Sequence, residues 1–88
     1  MTEQATIHIS SAVVSVLPKR REEVLRALAT LPGVEVHHCD ASKIVIVMEA
    51  AESGILGGRL AEIASWPGVL SANMVFEQIE RLETLGDQ

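Results

Sequence analysis

Apolar positions run along this chain in two alternating rhythms. Residues 7–17, IHISSAVVSVL, are dense in β-branched side chains and predict a strand. Pro18 interrupts that run, and KRREEVLRALATL changes to helical spacing. Val24, Leu28 and Leu31 recur at i, i+4 and i+7 with Leu25 beside them, which predicts a helix over residues 19–31. Pro32-Gly33 closes it, because glycine can take the left-handed cap conformation. VEVHHC, residues 34–39, predicts a second strand, and Asp40-Ala41-Ser42 a turn. In KIVIVMEA, residues 43–50, the apolar run IVIVM shows no alternation, as expected of a strand buried on both faces. Ser53 is placed as N-cap of a second helix over residues 53–66, which carries Ile55, Leu56, Leu60 and Ile63. Gly57 and Gly58 weaken that helix and are expected to let it approach a sheet closely. Pro67-Gly68 closes it, VLSANMVFEQI (69–79) predicts a fourth strand, and residues 80–88 read as a polar tail.

The order is β-α-β-β-α-β, and LPGV and WPGV mark the same joint, helix into returning strand, in its two halves. That order predicts one α+β domain over residues 1–79. Its fold is a ferredoxin-like split β-α-β sandwich, with a four-stranded antiparallel sheet and two helices on one face. Right-handed crossovers place the first and third strands in the centre.

Two helices cover only one side of such a sheet, so the far side should be polar at alternate positions. The central strands depart from this. An unpaired carboxylate is costly to bury, so Glu49 is expected to point away from the helices, which puts Val45 and Val47 on the open side with it. The same phase turns Ala12, Val14 and Val16 inward and leaves Ile7, Ile9, Ser11, Val13 and Ser15 outward. In the fourth strand, Leu70, Ala72, Met74 and Phe76 are expected inward, and Ser71, Asn73, Val75 and Glu77 outward. A single β-bulge reverses that assignment. The outcome is an aliphatic platform with acidic groups at its edge. A contiguous exposed apolar patch marks an interaction site, either for a partner or for a second copy that buries two such faces in a homodimer.

Composition narrows the partner. The net charge of −5 argues against nucleic acid, where Lys and Arg must neutralise phosphates. With one Trp, one Phe and no Tyr, the sheet has no aromatic set on which RNA bases could stack. A single cysteine, Cys39, excludes an intrachain disulfide and suits a reducing compartment. The N-terminal MTEQATIHIS lacks the basic start and apolar run of a secretory signal, and no apolar run reaches the roughly 18 residues of a membrane span. A cytoplasmic protein that does not insert in membranes is expected. No CxxC is present, and His37 and His38, adjacent on a strand, should face opposite ways, so no metal site is expected. His8 has no visible partner. Gly57-Gly58 lacks the Lys and Ser/Thr of a phosphate loop. Lys19-Arg20-Arg21, followed by Glu22 and Glu23, reads as a solvated helix start. No nucleophile, base and orienting residue come together, so catalysis is not expected, nor any cofactor.

The succession of SAVVSV, LPGVEVH, IVIVMEA and PGVLSANMVFE resembles the NapD proteins over residues 7–78. The resemblance implies a small cytoplasmic chaperone without cofactor or catalysis. Such a chaperone binds the twin-arginine signal peptide of the periplasmic nitrate reductase precursor. It thereby delays export by the Tat pathway until molybdenum cofactor insertion and folding are complete. The platform suits that role: it can take the apolar side of a signal helix while Glu49 and Glu77 at its rim meet the arginines. The residues expected at the peptide are therefore Ile7, Ile9, Ser11, Val13, Val45, Val47, Glu49, Ser71, Asn73, Val75 and Glu77. A ligand-sensing, dimerising module of the ACT type shares the fold and the P-G-V joints and is the alternative. An acylphosphatase-like enzyme would need an arginine-bearing phosphate loop after the first strand, where Pro18 and a helix start stand instead.

Overall fold

The computed structural model describes residues 5–82. Its elements are β1 (Ala5–Val16), α1 (Arg21–Leu28), β2 (Val34–Cys39), β3 (Lys43–Ala50), α2 (Ser53–Ala64) and β4 (Val69–Leu82). The strands form one sheet in the order β2-β3-β1-β4, with every neighbouring pair antiparallel. This is the ferredoxin-like α+β arrangement, with β1 and β3 central.

Alternation decides the layers. Ala12, Val14 and Val16 of β1 and Ile44, Ile46 and Met48 of β3 are buried against Val24 and Leu28 of α1 and Leu56 and Ile63 of α2. Their partners in register, Ala12 with Ile46 and Val14 with Ile44, place this core on the helix side of the sheet.

The two P-G-V joints are the same device. The N–H of Val34 bonds to the carbonyl of Leu31 at 3.4 Å, and that of Val69 to the carbonyl of Trp66 at 3.1 Å. Each four-residue turn has Pro second and a glycine of positive φ third, +75° at Gly33 and +90° at Gly68, as a type II turn requires. Both glycines are also crowded. A Cβ at Gly33 would lie 2.6 Å from the carbonyl oxygen of Glu49, and one at Gly68 would lie 2.7 Å from Cβ of Arg20.

Helix ends differ from the sequence expectation for local reasons. Pro18 starts a 3-10 turn, Pro18–Arg20, so regular α1 begins only at Arg21. At the other end, the N–H groups of Thr30 and Leu31 take tight bonds to Ala27 and Leu28 instead of extending the helix to residue 31. Ser53 is the first residue of α2 and not its cap; extended Glu52 stands at that position without a side-chain bond. The second helix ends at Ala64, and the N–H groups of Ser65 and Trp66 make similar tight bonds to Glu62 and Ile63.

Gly57 and Gly58 do not approach the sheet. A Cβ at either would meet nothing within 4 Å. They lie exposed, where glycine costs helix stability without a packing return. Gly57→Ala is therefore expected to stabilise the fold by roughly 0.5–1 kcal/mol, seen as a rise of a few degrees in the thermal midpoint.

The last strand is longer than its sequence suggests. Residues 80–82, expected in the tail, pair with β1 through Ile7↔Glu80, Thr6↔Arg81 and Ala5↔Leu82. The rest of the expected tail, residues 83–88, lies outside the described residues. Pairing of β1 with β3 stops at His8↔Ala50, so the β1–β4 ribbon runs on past the four-stranded part. The molecule accordingly measures 52 × 21 × 21 Å.

Candidate functional site

The sheet face away from the helices is built in rows that cross the strands. One row runs Glu35–Val47–Ser11–Phe76 and the next His38–Val45–Val13–Asn73, each from β2 to β4. Beside the first lies Glu49–Ile9–Gln78, and beyond it Ile7–Glu80; beside the second lies Lys43–Ser15–Ser71. Val13, Val45, Val47, Ile7 and Ile9 are half-buried, although no helix covers them, because neighbouring strands shield their flanks. An aliphatic strip thus occupies the middle of the open face, with Phe76 at one end of its row and carboxylates at the other.

The predicted residues Ile7, Ile9, Ser11, Val13, Val45, Val47, Glu49, Ser71 and Asn73 share this face. Val75 and Glu77 do not belong to it as expected. Ser11 pairs with Phe76 but Ala12 pairs with Met74, so Val75 is the extra residue of a β-bulge. The bulge shifts every later side chain to the opposite face. Phe76, expected in the core, turns to the open side and is 56% exposed. Glu77 turns to the helix side, opposite the fully buried Ser10, and its Oε2 lies 3.5 Å from Nδ1 of His8. His8 therefore does have a neighbouring carboxylate. A second irregularity, between Ser15 and Val16, sets Leu70 outside the pairing and leaves it 65% exposed rather than inward.

Another bulge reshapes β2. Val36 pairs with Ile46 and His38 with Val45, so His37 is skipped and His38 reaches the open face. Glu35, opposite Val47, lies there too. Sequence reasoning missed Glu35, His38, Phe76 and Gln78. For Glu35 the signal was available: in VEVH it alternates with Val34 and Val36, which point to the core side.

Glu35 and Glu49 flank a depression of about 270 Å³ lined also by Gly33, Val34 and Val47. The turn at Gly33 forms its floor, since the carbonyl of Gly33 accepts a bond from the N–H of Glu49 at 2.8 Å. Several other carboxylates are already engaged. Glu23 takes a two-pronged bond from Arg20, at 3.1 and 2.8 Å, which holds its carboxyl below the usual range. Asp40 accepts the N–H groups of Ser42 and Lys43 at 3.0 and 2.9 Å, and these bonds lower its pKa in the same way. Arg21, from the basic run, donates to the carbonyl of Asp40 at 3.1 Å and to Glu22 at 3.2 Å. The basic run thus braces the helix side of the protein, away from the open face.

Fold and face together make a small one-sided sandwich whose uncovered sheet is apolar in the middle and acidic at one margin. The chain belongs to the NapD family: the family model described as NapD protein matches residues 7–81. It is 47% identical over 77 residues to the Chaperone NapD of Paracoccus pantotrophus, an alignment that covers 88% of this chain and 69% of that protein. The solution structure of the E. coli Tat proofreading chaperone protein NapD superimposes with a TM-score of 0.75 at 27% identity, over 93% of this chain and 85% of that one. A transcriptional regulatory protein of the AsnC family from Pyrococcus furiosus shares the fold alone, with a TM-score of 0.62 at 22% identity, over 91% of this chain and 55% of its own. The family role is that of a chaperone and not of an enzyme. Among the described residues no helix is long and apolar enough to cross a membrane.

Proposed function

We propose that the protein is the cytoplasmic chaperone that binds the twin-arginine signal peptide of the periplasmic nitrate reductase precursor on its open sheet face. Binding there delays Tat export until cofactor insertion and folding are complete. The observation that carries this reading is the juxtaposition of the aliphatic strip with the Glu35–Glu49 depression.

A signal peptide offers an arginine pair followed by an apolar segment. Four strands about 4.8 Å apart make a face wide enough to seat one helix about 10 Å across. The apolar side of that helix covers Val13, Val45, Val47 and Ile9, with Phe76 along one flank. Removing this surface from water supplies most of the affinity. The arginines reach the depression, where Glu35 and Glu49 accept charge-assisted bonds that fix the direction of the peptide. A peptide held this way is sequestered from the export machinery for as long as it is bound. Kinship with a Tat proofreading chaperone supports the reading.

Calorimetric titration with a synthetic twin-arginine signal peptide of a nitrate reductase precursor tests it. One-to-one binding is expected, weakened at least tenfold, about 1.4 kcal/mol, when both arginines are replaced by alanine or when Glu49→Lys protein is used. Binding indifferent to both changes removes the acidic depression from the site. No binding overturns the chaperone reading.

A further inference from the structure

β4 forms one edge of the sheet, so one side of its backbone hydrogen-bonding groups has no strand partner among the described residues. Natural edges are blunted by bulges, prolines or charge. The first half of this one is: Leu70 and Val75 are both bulged out of register. From Phe76 onward the pairing with β1 is unbroken to Leu82, and no proline intervenes. That regular stretch carries one exposed apolar side chain on each face, Phe76 at 56% and Ile79 at 61% exposure. Its last part, residues 80–82, lies where β1 and β4 run on beyond β3.

We propose that residues 76–82 pair antiparallel with the same residues of a second copy, so that two sheets join into one of eight strands. A two-fold axis normal to the sheet keeps each face on its own side, so facing residues must share parity and one residue must face itself. Five centres leave a flanking pair within the stretch, and one at Arg81 sets two guanidinium groups against each other. Centres at Glu77 or Glu80 set like carboxylates against each other. A centre at Gln78 sets Glu77 against Ile79 and Phe76 against Glu80. Only a centre at Ile79 is complementary throughout. Ile79 meets Ile79, Glu77 meets Arg81 of the second copy twice over, and Gln78 meets Glu80. Cross-strand pairs of opposite charge and of apolar residues stabilise a sheet, and like charges oppose it. The edge therefore carries its own specification of a partner, a second copy of this chain in a single register. The open faces of the two copies lie side by side on the same surface of the joined sheet and stay accessible.

Sedimentation of the full chain from roughly 10 µM to 1 mM tests this, with no peptide present, so that its outcome is independent of signal-peptide binding. A concentration-dependent dimer is expected. Ile79→Lys should weaken it at least tenfold by setting two ammonium groups opposite each other. Arg81→Glu should weaken it comparably, and adding Glu77→Arg to Arg81→Glu should restore it. If circular dichroism shows that Ile79→Lys fails to fold, the charge-reversal and restored pair decide alone. A chain that stays monomeric up to 1 mM overturns the proposal. So does a dimer that survives these changes but is lost on Val45→Lys, which would bury the open faces instead.

Discussion

Val45→Glu is expected to weaken signal-peptide binding by more than about thirtyfold, some 2 kcal/mol, while the protein remains folded. Val45 sits in the middle of the open face, between His38 and Val13 in its row. In the free protein a carboxylate there can turn to water, because no helix lies over it. Under a bound apolar helix it would be desolvated without a partner, which costs several kcal/mol unless the peptide lifts away. Val45→Thr, similar in shape, separates loss of apolar area from burial of charge and should lose far less. Titration of both variants, with thermal midpoints recorded alongside, checks the expectation. Equal binding by Val45→Glu and the parent would move the peptide off this face.

Gly33→Ala is expected to be the most damaging single methyl in the chain for stability. The left-handed conformation costs an L-residue about 1–2 kcal/mol, and the added Cβ would lie 2.6 Å from a backbone oxygen that cannot swing aside. Together these should remove roughly 2–4 kcal/mol, lowering the thermal midpoint by about 10 °C or more. Gly54→Ala, where a Cβ meets nothing within 4 Å, is the matched control and should not destabilise. Because the carbonyl of Gly33 holds the N–H of Glu49 at the depression, Gly33→Ala should also blunt the discrimination between arginine and alanine peptides.

The distribution of what the sequence disclosed follows from the period of a strand. In β1 and β3 pairing is regular across the site, so one costly residue, Glu49, was enough to set the phase and place Val45, Val47, Val13 and Ile9 together. In β2 and β4 the phase changes partway along, and alternation on either side of a bulge gives contradictory answers. That is why Glu77 and Phe76 exchanged faces, and why His38 was missed. Three consecutive apolar residues, Met74, Val75 and Phe76, were the visible trace of the interruption, since an unbroken half-buried strand would have alternated there. The glycines divide in the same way. Those after proline carry a turn that their spacing announces. Gly57 and Gly58 suggested a close contact, and only the placement of α2 shows open space beside them.

The pairing of β1 with β4 over their whole length has a consequence for the order in which the molecule can assemble. Ala5 meets Leu82 and Ser11 meets Phe76, so these contacts join residues from opposite ends of the chain. Contacts of such high sequence separation form late and slow the search for the native state. During synthesis, β2 and β3 can zip as a hairpin and β1 can add to it, but the fourth strand is the last to emerge. Until it does, one side of β1 is an open edge, and the open face lacks its Phe76 margin. Completion of the four-stranded sheet is thus tied to the emergence of β4, and the Phe76 margin of the open face is the last part of it to form.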